Sequence, residues 1–143
     1  MARTDDGFST TISFASAPSG FSVELYEKQL QPPGISGGGP IDTTTMQNSA
    51  YRTFWPKSLK TLTPATLQIA YDPTIYDSMI AMVNDNQLIT ITFPDSSTLA
   101  FWGWIDEFTP NANVEGEQAI ADVTIQPSNQ NDSKVEVAPV WAA

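Results

Sequence analysis

The chain has 143 residues, of which 41% are hydrophobic and 15% charged, a balance that suits one packed domain rather than a disordered protein. It contains no cysteine and no histidine, which excludes disulfides, zinc–thiolate sites, cysteine nucleophiles and serine–histidine catalysis. The net charge of −10 disfavours direct binding to nucleic acid, because an acidic surface repels a polyanion.

The negative charge comes from one block of the sequence. Residues 1–60 balance five basic against five acidic side chains, and residues 134–143 balance Lys134 against Glu136. Residues 61–133 contain no Lys or Arg and hold ten acids: Asp72, Asp77, Asp85, Asp95, Asp106, Glu107, Glu115, Glu117, Asp122 and Asp132. The simplest interpretation is an excess of solubilising charge.

The chain shows no sign of membrane insertion. No apolar run approaches the roughly 18 residues of a membrane-spanning helix, and the N-terminal stretch has no apolar signal-peptide core. The sequence therefore predicts no membrane-spanning segment and folding in the compartment of synthesis.

Two short strands, at 11–16 and 21–27, are predicted first in chain order, with an Ala-Pro-Ser-Gly turn between them. The stretch 29–40 follows, with two adjacent prolines and three consecutive glycines, and is predicted to be a long Gly/Pro-rich loop. Residues 1–28 are too few to form a domain, so this stretch is not an interdomain linker and 1–143 is predicted to be a single domain.

The middle of the chain holds the one predicted helix, at about 73–83. Before it, 41–46 is β-prone, 51–64 is aromatic and irregular, and 65–71 alternates as a strand does. Asp72 is a natural N-cap, and Pro73 suits the first helical position. The helix is predicted to pack on a sheet through a stripe formed by Ile75, Met79, Met82 and Val83.

The second half of the chain has the strongest strand signals. Segments 87–93 and 98–105 are predicted to form a hairpin, 106–117 a loop, and 118–127 a further strand. In that last strand, Ala119, Ala121, Val123 and Ile125 share one face, and Ile120, Asp122, Thr124 and Gln126 share the other.

These elements predict a mainly β fold, either a β-sandwich or a small barrel, with one flanking helix. The N-terminal segment 1–10 and the C-terminal tail 128–143, which ends in the apolar Val140 and Trp141, are predicted to be interaction arms.

Candidate chemical sites are weak. The adjacent acids Asp106 and Glu107 would point to opposite faces of a regular strand and so could not serve as a catalytic pair. The oxygen-rich stretches 84–86 and 129–132 lack the spacing of a calcium loop, and the glycine run lacks a phosphate-binding Lys. The sequence therefore predicts no catalytic residues, no cofactor and no metal, and a protein that is not an enzyme.

Trp102 and Trp104 form a distinct feature, since they would share one face of a strand. They could form a stacking platform for a sugar, or pack in a core or subunit interface. A monomeric β-sandwich module that binds or adheres through an exposed Trp pair is thus one interpretation.

The order of elements from Trp55 onward resembles the major tail tube proteins of bacteriophages with long, non-contractile tails. The similar features are the Tyr71-Asp72-Pro73 helix start, the "ITFPD" hairpin, the "FWGWIDEFTP" strand and the closing "ADVTIQPSN". Upstream, "IDTTTM" followed by "YRTFWP" is similar to the family's strand after its long loop. The resemblance covers roughly residues 40–130.

The resemblance implies a structural virion protein whose copies form hexameric rings, stacked as the tail tube through which DNA is delivered. It implies that partners are other copies, the tape-measure protein, and the tail terminator and tail-tip proteins. DNA would pass without specific binding along an acidic lumen. The location would be the virion tail, after assembly in the cytoplasm of the bacterial host.

The resemblance also suggests roles for particular residues. The lumen candidates are Asp122, Thr124, Gln126, Thr90 and Thr92. The subunit interface candidates are Ile41, Thr43, Thr45, Trp102, Trp104 and Trp141. The ring-stacking loop comprises Pro32, Pro33, Gly34, Ile35, Gly37, Gly38, Gly39 and Pro40.

Overall fold

A computed structural model describes residues 10–14, 27–70 and 76–143, except for the side chains of residues 27 and 28. This part is mainly β, with a sheet curled into a half-barrel and one helix, which confirms the predicted fold class. The strands are β1 (Thr11–Phe14), β2 (Glu27–Gln31), β3 (Ile35–Ser36), β4 (Pro40–Asp42), β5 (Phe54–Pro56), β6 (Thr61–Leu62), β7 (Ala65–Ala70), β8 (Gln87–Thr92), β9 (Thr98–Pro110), β10 (Ile120–Pro127) and β11 (Val140–Ala142), and the helix α1 spans Tyr76–Met82.

The main sheet has seven strands in the order β1-β8-β9-β10-β7-β2, and β11 pairs with β9 beside this path. All of its pairings are antiparallel. The long strand β9 organises the sheet, because its first half pairs with β8 and β11 and its second half pairs with β10.

The core lies on one side of this sheet and follows the period of two. Val123 and Ile125 of β10 are buried, as are Phe101 and Ile105 of β9 and Ile69 of β7. Their neighbours in sequence point away from the core and are half-buried or exposed. The predicted division of β10 into an apolar and a polar face is therefore confirmed.

Helix α1 covers the core side through Met79 and Met82, which are fully buried. The rings of Tyr76 and Phe108 lie 5.7 Å apart, and Val83, just after the helix, bridges to Ile105. The predicted cap Asp72, with Pro73 and Ile75, lies outside the described residues, as do most of the predicted strand 21–27 and the last two residues of the strand 11–16. No helix in the described segments has the length and hydropathy to cross a bilayer.

Strand β9 is longer than predicted, because it takes in the first five residues of the predicted loop 106–117. Its register with β10 shifts where Thr124 pairs with Glu107 and Ile125 pairs with Ile105, so Asp106 is an extra residue at a bulge. Asp106 and Glu107 are both exposed. Adjacent side chains occupy opposite faces only in a regular strand, and the bulge interrupts that regularity at Asp106.

The region predicted as an irregular loop at 29–40 is one side of a two-stranded arm. Strand β2 continues to Gln31 at the edge of the main sheet. Beyond it, β3 pairs with β6, and β4 pairs with β5. Residues 32–63 thus form a hairpin that leaves the sheet between β2 and β7, and we call it the arm.

Candidate interaction surfaces

The side of the main sheet that faces away from the core, which we call the open face, carries all five predicted lumen residues and the Trp pair. Side chains paired across antiparallel strands share a face, so the register defines its members. They are Thr11, Ser13, Gln29, Gln31, Thr66, Gln68, Ala70, Leu88, Thr90, Thr92, Thr98, Ala100, Trp102, Trp104, Glu107, Thr109, Ile120, Asp122, Thr124, Gln126, Val140 and Ala142.

The part of the open face on β7, β10 and the end of β9 is polar. Gln68 donates a hydrogen bond to Asp122 Oδ1 at 3.3 Å, and Asn111 donates to Asp122 Oδ2 at 3.0 Å. The hydroxyl of Thr109 donates to Glu107 at 2.8 Å. None of the described side chains on this face is a Lys or Arg. The two carboxylates are therefore held by uncharged hydrogen-bond donors.

The part of the open face on β8 and the first half of β9 is more apolar. Leu88 pairs with Trp102, and Gln126 pairs with Trp104. Both Trp side chains are half-buried rather than exposed. The structure therefore brings the predicted lumen residues and the Trp pair onto one face. The Trp pair lies on β9, between Thr90 and Thr92 of β8 and the polar residues of β10.

The arm is the most exposed apolar surface of the described chain. It carries Ile41, Met46, Tyr51, Phe54 and Trp55, all 45% exposed or more. Pro40, Phe54, Trp55, Pro56 and Lys57, together with two glycines, line a shallow groove of about 480 Å³ on it. Exposed aromatic side chains of this kind usually mark a binding surface rather than a solvated loop.

The tip of the arm is held by local hydrogen bonds. Thr43 and Thr53 bond through both backbone and side chains at 3.0 Å, and Asn48 bonds to Thr45. The Asp42 carboxylate accepts from the backbone N–H of Thr44 at 2.9 Å. Hydrogen bonds from the side chain and the backbone of Thr44 lower the pKa of Asp42 below its usual 3.8. Of the predicted strand 41–46, only Ile41 and Asp42 are part of a strand, together with the preceding Pro40.

Sequence reasoning missed the second half of the arm. Phe54 and Trp55 belong to β5 and pair with β4, yet their stretch was predicted to be irregular. The available signal was an aromatic-rich segment with no core partner, set between a glycine-rich stretch and a clear strand. The eight residues predicted for ring stacking form the other half of the same arm.

Trp141, the interface candidate in the tail, lies on β11. Its ring is 5.6 Å from that of Phe93, and Trp141 pairs in register with Leu99. The side chain remains 58% exposed. The tail therefore docks on the strand β9 of its own chain and leaves part of the Trp141 indole exposed.

Metal-binding clusters of three or more Asp or Glu side chains do not occur among the residues that the structure describes.

No protein-family model matches the chain, and no curated protein matches it. Its fold is similar to that of a chain in the virion of a native gene transfer agent (GTA) particle, with a TM-score of 0.66 and 9% identity over 98% of this chain and 100% of that one. It is also similar to a chain in the tail of an empty GTA particle refined helically with C6 symmetry, with a TM-score of 0.63 and 9% identity over 92% of this chain and 94% of that one. A third similar chain belongs to the six-fold symmetrised baseplate of the anti-feeding prophage, with a TM-score of 0.60 and 9% identity over 94% of this chain and 91% of that one. At this identity the likeness establishes the fold, which extends over nearly the whole chain.

Proposed function

We propose that this protein is a structural, non-enzymatic component of a virion tail, and that six copies form a ring whose stacks make the tail tube. The observation that carries the proposal is the likeness of fold, over 92% of the chain, to a chain in a GTA tail with C6 symmetry. The resemblance to phage tail tube proteins, found independently in the sequence, supports the same role. Assembly would take place in the host cytoplasm, and the virion tail would be the final location.

The open face supplies the inner wall of such a tube. Asp122 and Glu107 give two carboxylates per subunit on the described part of this face, and twelve in a ring of six. With a Debye length of about 8 Å at physiological salt, these charges repel DNA near the wall and prevent it from binding there. Thr124, Gln126, Thr90 and Thr92 would complete a polar wall without adding a cation.

Subunit contacts within a ring would involve the edges of the sheet and the Trp pair. Of the described strands in the main sheet, β1 and β2 are the outermost. Pairing them across neighbouring subunits would close the sheet and remove its edges. Trp102 and Trp104 lie on β9, two strands in from β1, so they would contact a neighbouring copy only where it covers this part of the open face. Trp141 would serve contacts of the tail.

The remaining partners follow from the tube. A tape-measure protein would occupy the lumen during assembly, and terminator and tip proteins would meet the two ends. A monomeric module that binds a sugar through Trp102 and Trp104 is disfavoured, because both side chains are half-buried.

The proposal is tested by measuring whether a single introduced cysteine becomes shielded from a thiol reagent on assembly. The chain contains no cysteine of its own that would react. Asp122→Cys places a thiol on the open face, and Ile80→Cys places the matched control on the helix, where Ile80 is 52% exposed. Both variants should react with a long polyethylene glycol maleimide as monomers. In assembled tubes, seen by negative-stain microscopy, only the Ile80→Cys variant should react.

Equal labelling of the two variants in tubes would place the open face outside the lumen and refute that orientation. A protein that stays monomeric, with neither rings nor tubes at high concentration or with a tail-tip nucleus, would refute the tail function.

A further inference from the structure

The arm and the loop between β9 and β10 leave the sheet at opposite ends of the strands. The arm begins after Gln31 of β2, which pairs with Thr66 near the start of β7. At the same end of the sheet, β7 pairs with Ile125 near the end of β10. The β9–β10 loop, residues 111–119, precedes Ile120, which pairs with Ala70. Five residues of extended strand, about 17 Å, therefore separate the two points of departure.

The arm and the β9–β10 loop carry net charges of opposite sign. The arm holds Arg52, Lys57 and Lys60 against the single acid Asp42, a net charge of +2. The β9–β10 loop holds Glu115 and Glu117 and no base, a net charge of −2. Lys57, Lys60, Glu115 and Glu117 are all exposed. Arg52 forms an ion pair with Asp42 inside the arm, at 3.5 Å. Lys57 and Lys60 are therefore available to contact another molecule.

Each end also presents apolar surface. On the arm, Phe54 and Trp55 line the groove beside Lys57. On the loop, Val114 is 55% exposed and is followed at once by Glu115. An apolar side chain followed by a carboxylate is complementary, in polarity and in charge, to an aromatic groove beside a Lys.

We propose that the arm of one copy docks on the β9–β10 loop of the next copy along the tube axis, with Val114 in the groove and Glu115 and Glu117 facing Lys57 and Lys60. This rests on the proposed function and names the surfaces that join successive rings. The contact is heterologous, and such a contact generates an open filament when it does not close on itself. Two arms would repel each other because both are basic, and two loops would repel because both are acidic. Every ring therefore stacks in the same direction.

The charges and the apolar groove have different roles. Exposed ion pairs contribute little to affinity, but like charges in a wrong pairing are unfavourable and opposite charges speed correct encounter. The charged residues therefore set polarity and register, and burial of Val114 against Trp55 supplies the stability of the contact. High salt should slow tube elongation more than it dissociates finished tubes.

Charge reversal tests the docking. The arm variant Lys57→Glu/Lys60→Glu and the loop variant Glu115→Lys/Glu117→Lys each give both ends the same sign, and each alone should lose most stacked tubes in negative-stain images. An equimolar mixture should recover tubes, because each variant then meets an end of opposite sign on the other. The control Asp85→Lys/Asp132→Lys makes the same change in net charge as the loop variant, at exposed acids elsewhere, and should assemble as the wild type does.

Tubes of wild-type length from both single variants, or a mixture that stays unassembled while the variants remain folded by circular dichroism, would refute the docking and leave the tail function intact. If the control also fails to assemble, the effect is one of net charge and the docking is refuted. Absence of rings and tubes from the wild type would refute the tail function and the docking with it.

A crosslink checks the contact directly. The double variant Ser58→Cys/Asn113→Cys keeps Trp55 and Val114 and places two exposed cysteines beside the contact. Oxidised after assembly, it should give a ladder of dimers, trimers and longer species that collapses on reduction. Each single variant should stay monomeric, because a head-to-tail contact never brings two identical positions together. A dimer from either single variant, or no ladder from the double variant in intact tubes, would refute the arrangement.

Discussion

Gly103 of β9 lies against the backbone of Gln126 in β10: a β-carbon at position 103 would come within 2.6 Å of the carbonyl oxygen of Gln126. The same carbon would lie 3.1 Å from the Cα of Pro127. At this point the chain leaves β10, and the backbone N–H of Ser128 donates to the carbonyl of Trp102 at 2.8 Å. The glycine therefore permits a close approach of backbones where β10 gives way to the tail.

The substitution Gly103→Ala should destabilise the monomer by about 1–3 kcal/mol, because backbone atoms rather than a flexible side chain must move to admit the methyl group. Urea denaturation measures this as a lower midpoint. Gly37→Ala is the matched control, since a β-carbon there meets nothing within 4 Å. Its effect should stay within about 0.5 kcal/mol. An unchanged midpoint for Gly103→Ala would mean that β10 and the tail can separate from β9 without cost.

Trp141→Ala should destabilise the free monomer, because the Trp141 ring packs 5.6 Å from Phe93 and secures β11 to the sheet. The aromatic pair alone accounts for about 0.5–1.5 kcal/mol beyond the buried area. Trp55→Ala provides the control, as Trp55 is 68% exposed on the arm and should leave monomer stability unchanged. Equal losses from the two variants in a urea titration would show that the tail is not held by this contact.

The period of two along β10 was enough to predict which of its side chains face the core, because a slip of one residue would bury Asp122 and expose Val123. Burial and strand pairing agree there, so the pattern has one solution. The helix was predicted from apolar residues at helical spacing, among them Met79 and Met82, which the structure buries in the core. The Asp106 bulge was not predictable, because a polar residue inserted at an exposed position leaves the apolar pattern intact.

The arm escaped prediction for a different physical reason. Its strands bury almost nothing within the chain, and Ile41 and Trp55 face each other across a two-stranded ladder while both stay exposed. Reasoning from burial assigns no structure to a segment whose apolar side chains have no core. Two-stranded ladders of this kind are marginal alone, so the arm's local hydrogen bonds hold it until a partner covers it.

Protonation of Asp42 should loosen the tip of the arm at acid pH. Hydrogen bonds from Thr44 lower the folded-state pKa of Asp42, so they stabilise the tip above the unfolded-state value of 3.8 and this contribution is lost as the pH falls through the lower folded value. The amide resonance of Thr44 should move as the pH drops from about 5 toward 2, while resonances of the β10 core stay constant. In Asp42→Asn, whose side-chain oxygen still accepts from Thr44 but does not titrate, the shift should vanish. Its persistence would assign the transition to another group.

Excision of the arm should separate folding from assembly. Ser36 and Thr61 pair directly in the β3–β6 ladder, so replacing residues 37–60 by Asn-Gly closes the hairpin with a two-residue turn and leaves the buried Leu62 in place. The shortened chain should unfold at the wild-type urea midpoint, because the excised residues contribute little to the core. It should not form stacked tubes, since the aromatic groove and both Lys residues of the arm are gone. The cruder deletion of residues 33–40 removes β3 and the first residue of β4, which leaves β6 and Pro56 without their partners, so it should also lower the urea midpoint. Normal tubes from the Asn-Gly variant, measured by length in negative-stain images, would show that the arm has no part in ring stacking.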